Sequence, residues 1–267
     1  TGSYNQYADI RSALFNRYDD LEGGSTRDRD RLLAMTLANA SDFGGRQFAL
    51  PPELGPLHDL VTGGNAAIVS NVGPLVTPVT RTDYESRSAP LPPRLFSHND
   101  QQSVWMASQP EGARFGWGGR LADIMLGASA NPDATFTVIS TAGNTVFLSG
   151  ELAGQFEVGS GGPQDIRAIS NEAFLGSNTL PGIYESHLRA ENETLINYLQ
   201  QDYANAVRQS IDANRTLSES FDDEAPFTTV FPETGLARQL QVVARIIALR
   251  DVLGVRRQVF FVATGGF

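Results

Sequence analysis

Thr234 to Phe267, TGLARQLQVVARIIALRDVLGVRRQVFFVATGGF, decides the fold class. Thr234-Gly235 leads into a helix. Its apolar residues Leu236, Leu240, Val243 and Ile247, with Val252 beyond, recur every three or four positions and predict one buried side. Gly254 stops that helix, as a glycine past the last turn does. Arg257 to Ala263 then runs apolar without alternation, the pattern of a strand covered on both faces in the middle of a parallel sheet. Helix, glycine stop and doubly buried strand spell an α/β protein. In open sheets of that class the ligand crevice lies beyond the carboxyl ends of the strands. Thr264-Gly265-Gly266-Phe267 falls there, where an active-site loop is expected to begin.

Upstream the same grammar recurs. Pro51-Pro52-Glu53 starts a helix with Leu54, Leu57, Leu60 and Val61 on one side, and Gly63-Gly64 ends it. Ala66 to Val72 reads as a short buried strand closed by Gly73-Pro74. His58, one position after Leu57, is expected to be a partly exposed helix histidine. Trp117 to Leu126 forms a helix with Leu121, Ile124 and Met125 inward and Gly127 as its stop. Thr135 to Ser140 is a strand rich in β-branched residues, and Ala142 to Ser149 a loop with a second strand. The GSGGP run from Gly159 to Pro163 lacks the lysine and context of a phosphate loop, so it reads as a flexible connection.

Ile183 to Ser220 is the longest helical region. Its apolar face is read from Leu188, Leu195, Leu199, Tyr203, Val207 and Ile211, with His187 at the surface. Tyr4 to Phe15 is a short amphipathic helix, Leu21 to Ser25 a turn, and Asp28 to Asn39 either helix or strand. The run Asp222-Asp223-Glu224 is a solvated loop, since consecutive carboxylates face different ways. The whole chain, 1–267, reads as one α/β domain, with 183–220 packed on it or capping it.

Composition narrows the chemistry. Net charge is −10 with pI near 4.8, which argues against a nucleic-acid partner. All 20 basic residues are arginine, so Schiff-base and phosphate-loop lysines are excluded from this chain. There is no cysteine, hence no disulfide, thiolate nucleophile or zinc–sulfur site. No run approaches the length of a membrane span.

The densest chemistry lies in Pro90 to Asp123, PLPPRLFSHNDQQSVWMASQPEGARFGWGGRLAD. Ser97 with Asp100 three residues on is a capping arrangement, so a helix is expected to begin at His98. A helix start offers unpaired N–H groups and a positive dipole end to an anion. Hydroxyl, imidazole and carboxylate within four residues there suit a phosphate or sulfate group; the competing reading is a capped surface helix with His98 merely exposed.

These residues carry a resemblance. Ala66 to Pro74 (AAIVSNVGP), Pro90 to Gln102 (PLPPRLFSHNDQQ), Gly116 to Asp123 (GWGGRLAD), Ser140 to Leu148 (STAGNTVFL) and Val259 to Phe267 (VFFVATGGF) resemble the bacterial domain-of-unknown-function 1501 family, in the family's order. That family is grouped with the alkaline-phosphatase and sulfatase-like superfamily. The resemblance implies a three-layer α/β sandwich with a mainly parallel sheet, incomplete in this chain because family segments are expected before Thr1 and after Phe267. It also implies export by a twin-arginine signal, hence a periplasmic or secreted protein.

In the superfamily, Asp and His residues hold divalent metals, so zinc, manganese, magnesium or calcium is the implied cofactor. Ser97, His98, Asp100 and Gln102 match the family's Ser-His-x-Asp-x-Gln pattern. By that likeness Ser97 is the nucleophile or sits beside it, and His98 and Asp100 are metal ligands or orient them. Arg94 or Arg120 would hold an anionic substrate group, with Gln102 also on the substrate. Two functions compete: hydrolysis of small-molecule or polysaccharide phosphate or sulfate esters, and non-catalytic binding or assembly on an enzyme-like scaffold. Either allows an oligomer.

Overall fold

The computed structural model describes residues 31–36, 39–44, 48–69, 72–132, 134–164, 167–170, 175–188, 197–221 and 227–265. The expected helix at Tyr4–Phe15, the turn at Leu21–Ser25, and Asp222 to Glu224 lie outside them. Contacts divide the chain into two units, Thr1–Val72 and Gly73–Phe267.

In the first unit, β1 (Leu33–Met35) pairs antiparallel with β2 (Phe48–Leu50), Ala34 opposite Ala49. The Asp28–Asn39 stretch thus contributes a strand. Prolines then fix an extended approach into a tight turn at Pro52–Leu54 and helix α1 (Gly55–Thr62). Gly63 closes the helix by donating its N–H to Asp59 O at 2.9 Å, and Gly64 takes φ +74°, open to glycine at little cost. His58 is half-buried on α1, and its Nε2 lies 3.0 Å from Ala34 O, joining helix to β1.

The strand expected over Ala66–Val72 is not formed at 66–69, which is irregular chain, with Val69 80% exposed. A strand needs a neighbour to satisfy its N–H and C=O groups. Among the described residues of this unit, β1 and β2 pair only with each other, and no ladder reaches 66–69.

The second unit begins with α2 (Arg81–Ser86), started by a capping box between Thr80 and Asp83. Next come α3 (His98–Ala107) and α4 (Trp117–Gly127), close to their expected bounds, although Gly127 ends inside the helix and Ala128 is its cap. β3 (Val138–Ser140) falls within the expected strand. The second strand expected in Ala142–Ser149 is instead a single tight turn, Val146–Leu148, and the chain pairs later as β4 (Phe156–Glu157). α5 (Arg167–Ser170), α6 (Leu180–Leu188), α7 (Tyr198–Ser220), α8 (Gly235–Ala248) and β5 (Val259–Phe261) complete it.

The sheet is parallel, in the order β4-β3-β5, with Ile139 beside both Phe156 and Phe260. β3 is the fully buried middle strand, and alternation sends its side chains to two cores. Ile139 packs with Leu217 of α7, Val242 and Ile246 of α8, and Phe260. Val138 on the other face packs with Ala122 of α4, Leu148, Val259 and Phe261. The protein is therefore a mixed helix-and-sheet fold with a parallel sheet, compatible with the α/β class.

Three expectations are corrected here. Among the described residues β5 pairs only with β3, so it is an edge strand and not a middle one. The helix α8 buries Ala237, Val242 and Ile246, while Leu236, Leu240 and Ile247 stay 36–44% exposed. Its rotation is fixed from outside: Gln239 bonds the backbone of Ala263, and the Arg245 guanidinium sits 5.3 Å over the Phe221 ring. Arg238, Gln241 and Arg245 cluster on one side of α8, so periodicity favours the larger apolar row opposite them, and these outside contacts override it. The long helix α7 behaves likewise, burying Ala204, Ile211, Ala213 and Leu217 but leaving Leu199 81% exposed.

Candidate functional site

Proline stiffening at Pro90, Pro92 and Pro93 delivers the chain to α3 through an unusual backbone. Arg94 and Phe96, neither of them glycine, take φ +49° and +75°. Such left-handed residues cost about 1–3 kcal/mol each and persist only where surroundings impose them. Here Phe96 is turned outward against Tyr84, with ring centroids 6.0 Å apart, and Ser97 arrives at the N-cap as expected.

Ser97 Oγ donates to Asp100 Oδ2 at 2.7 Å and accepts from the Asp100 N–H at 3.5 Å. Asp100 is buried; its Oδ1 accepts from the Glu111 N–H at 3.1 Å and from Arg94 at 3.4 Å. The Ser97 hydroxyl, with the Glu111 N–H and Arg94, outweighs burial and holds the Asp100 carboxyl below its ordinary range. Asp100 is therefore an ionised, hydrogen-bonded anchor at neutral pH and a weak base.

His98 and Gln102 are exposed on the same helix and flank a shallow groove running from Phe96 and Ser97 past Gln101 to Trp105 and Met106. The structure thus brings together Arg94, Ser97 and Asp100, with His98 and Gln102 on the adjoining surface. Arg120 is exposed on α4, and no described hydrogen bond or ion pair joins it to the cluster. Between α3 and β5 runs a relay of contacts. Trp117 Nε1–H donates to Trp105 O at 3.0 Å, and the Phe147 ring lies 4.5 Å from Trp117 and 5.6 Å from Phe261.

The residues fit a metal poorly. Both Asp100 oxygens are engaged by protein donors, and among the described residues no three His, Cys, Asp or Glu side chains gather into a metal-holding group.

The Gly-Trp-Gly-Gly run of α4 has a packing explanation. A Cβ on Gly116 would meet Val146 O at 2.1 Å, and one on Gly119 would meet the Ser149 backbone at 2.2 Å. The first turn of α4 can lie against residues 146–150 only without side chains. Asp123, one turn on, secures the contact by accepting N–H bonds from Glu151, Leu152 and Ala153 at 2.8–2.9 Å. Those three donors outweigh partial burial, the largest opposing influence, and lower its pKa.

Two polar anchors at the sheet ends were not legible beforehand. At the amino ends, buried Asn131 donates to Thr137 Oγ1 and Arg257 O and accepts from the N–H groups of Arg256 and Arg257. At the carboxyl ends, Gln239 bonds Ala263 and receives the Thr141 hydroxyl at 3.3 Å. Nothing in local spacing marks a single amide whose partners lie up to 126 residues away. Depressions beside the sheet, one at Asn131 and Arg256 and another at Thr135 and Gln209, open at the amino ends of the strands, opposite the end where a crevice is expected.

Against known proteins, the chain matches no protein-family model, no curated protein and no solved structure. The functional argument therefore rests on the site itself.

Proposed function

We propose that the start of α3 receives the anionic group of a phosphate or sulfate ester and that the chain is an exported hydrolase of such esters, small-molecule or polysaccharide. The observation that carries this reading is the 2.7 Å hydrogen bond between Ser97 and buried Asp100 at a helix N-terminus, where backbone N–H groups and the helix dipole favour negative charge. In this reading Ser97 attacks the ester or sits beside the attacking group, and His98 and Gln102 face the ligand from the groove. Arg94 spends one N–H on Asp100 and keeps others, on a largely exposed side chain, for ester oxygens. No step passes through a metal, because Asp100 is already satisfied; a zinc, manganese, magnesium or calcium ion would need other ligands. A three-layer, alkaline-phosphatase-like sandwich and periplasmic or secreted placement belong to the same proposal, and the two apolar faces of β3 support the former.

The test is turnover of aryl phosphate and aryl sulfate by the purified protein, with and without each of those four metals. Ser97→Ala should reduce turnover to background. Ser97→Asn, which keeps an N-cap acceptor but has no hydroxyl to attack, should be equally inactive, and this separates the effect from the loss of about 1 kcal/mol expected for a missing cap. No ester cleavage under any metal condition ends the hydrolase reading.

A second reading, a non-catalytic secreted binding or assembly protein, is favoured by one observation: both Asp100 oxygens already have protein donors, as a purely structural cap requires. It expects a partner complex that survives chelation and is unchanged by Ser97→Ala with His98→Ala.

A further inference from the structure

The unclosed side of the sheet presents two features that fit one occupant. In the β3–β5 ladder, the Val259 N–H donates to Thr137 O and Phe261 O accepts from the Thr141 N–H. Odd-numbered residues of β5 therefore face β3, and the N–H and C=O of Phe260 point to the open edge, unpaired among the described residues. On the same unit α8 carries an apolar row at 4-3-4 spacing, Leu236, Leu240 and Ile247 exposed and Val243 half-buried. Arg245 over Phe221 marks the side of α8 toward α7, and Gln239 on Ala263 marks the side toward β5. At about 100° per residue, the row lies roughly 70° past Gln239, away from Arg245. Edge and row thus share the same side of this unit.

We infer that this side is an interface with a second copy of the chain, related by a two-fold axis. Antiparallel pairing of β5 with its copy would set Phe260 opposite the second copy's Phe260 and exchange both backbone bonds, closing the exposed edge. Antiparallel packing of the two α8 helices sets Leu236 against Ile247 and Leu240 against Val243 of the copy. The same register places Glu233 opposite Arg250. Those two charges are 95% and 60% exposed and only loosely paired at home, at 4.0 Å to Arg238 and 3.9 Å to Asp251. Charge complementarity at both rims of the row selects a copy of this chain over an unrelated strand or helix. The inference does not depend on the ester reading.

Sedimentation or light scattering on the intact chain, from low to high micromolar, tests it. A dimer is expected, and Leu240→Asp should raise its dissociation constant by about a hundredfold, through an unpaired charge in the contact. Glu233→Arg and Arg250→Glu should each weaken the dimer, and the double variant should regain it; these exposed sites keep the test valid should Leu240→Asp unfold. Hydrogen exchange at the Phe260 amide should slow as protein concentration rises. A monomer at every concentration overturns the inference. So does a dimer indifferent to Leu240→Asp and to the charge exchange.

Discussion

Gln239 and Ala263 are joined by two hydrogen bonds: Gln239 Nε2 donates to Ala263 O at 2.8 Å, and the Ala263 N–H donates to Gln239 Oε1 at 3.0 Å. A side-chain amide here imitates a strand neighbour. It prolongs the pairing of the chain past β5 and fixes which face of α8 meets the sheet. Replacing Gln239 by Ala should cost about 1–2 kcal/mol, the net worth of two such bonds. Denaturant unfolding reads the loss, and hydrogen exchange should localise it to residues 262–265. A variant as stable as the wild type would remove Gln239 from its clamping role.

Gly119 and Gly127 make a matched pair on one helix. A Cβ at Gly119 would fall 2.2 Å from the Ser149 backbone, whereas one at Gly127 would meet nothing within 4 Å. Gly119→Ala should therefore destabilise by about 3 kcal/mol or more through overpacking against backbone. Gly127→Ala should stabilise by about 0.5–1 kcal/mol through helix propensity. Thermal unfolding of the two variants checks both signs together.

Acid should loosen the α4 contact through Asp123. Its pKa is lowered in the folded protein, so its contribution is complete above the unfolded carboxylate range. That contribution is lost as pH falls through the depressed folded value. Asp123→Asn keeps one acceptor oxygen and loses the charge. It should cost about 1–2 kcal/mol at neutral pH, discounted for solvent access, and nothing extra in strong acid. Parallel stability curves at pH 7 and pH 2 would contradict this.

His58 acts with the opposite sign. Ala34 O and the Asp59 carboxylate both accept from the ring, Ala34 having the larger effect, and raise its pKa. The link from α1 to β1 is therefore strongest below the unfolded imidazole value and weakens as pH rises through the raised folded value. Hydrogen-exchange protection of β1 and β2, taken relative to the intrinsic rate at each pH, should fall as pH rises through the imidazole range, and His58→Ala should abolish that fall.

Local signals were legible wherever a residue's partners are close in sequence. The Ser97 cap and the Thr234 cap that starts α8 sit where side-chain chemistry sets them, and the Pro52 start and the Gly63-Gly64 stop where local backbone preference does. What failed depends on distant partners. Leu236, Leu240 and Ile247 outweigh Ala237, Val242 and Ile246 in size, so the larger row read as core. The smaller row is the buried one because Gln239 and Arg245 set the rotation. The apolar run at 66–69 had the right residues and, among the described residues, no strand paired with it. At the candidate site, Ser97 meeting Asp100 was readable from a three-residue spacing, while the Glu111 N–H on Asp100 comes from eleven residues on.

The bond from Trp117 to Trp105 joins the chain's only two tryptophans across neighbouring helices. Both indoles are about half exposed, and one stands edge-on to Phe147. Intrinsic emission is thereby a label-free optical gauge of this joint. A ligand settling in the groove at Trp105 would register as a colour shift, while the rest of the molecule stays dark at that wavelength.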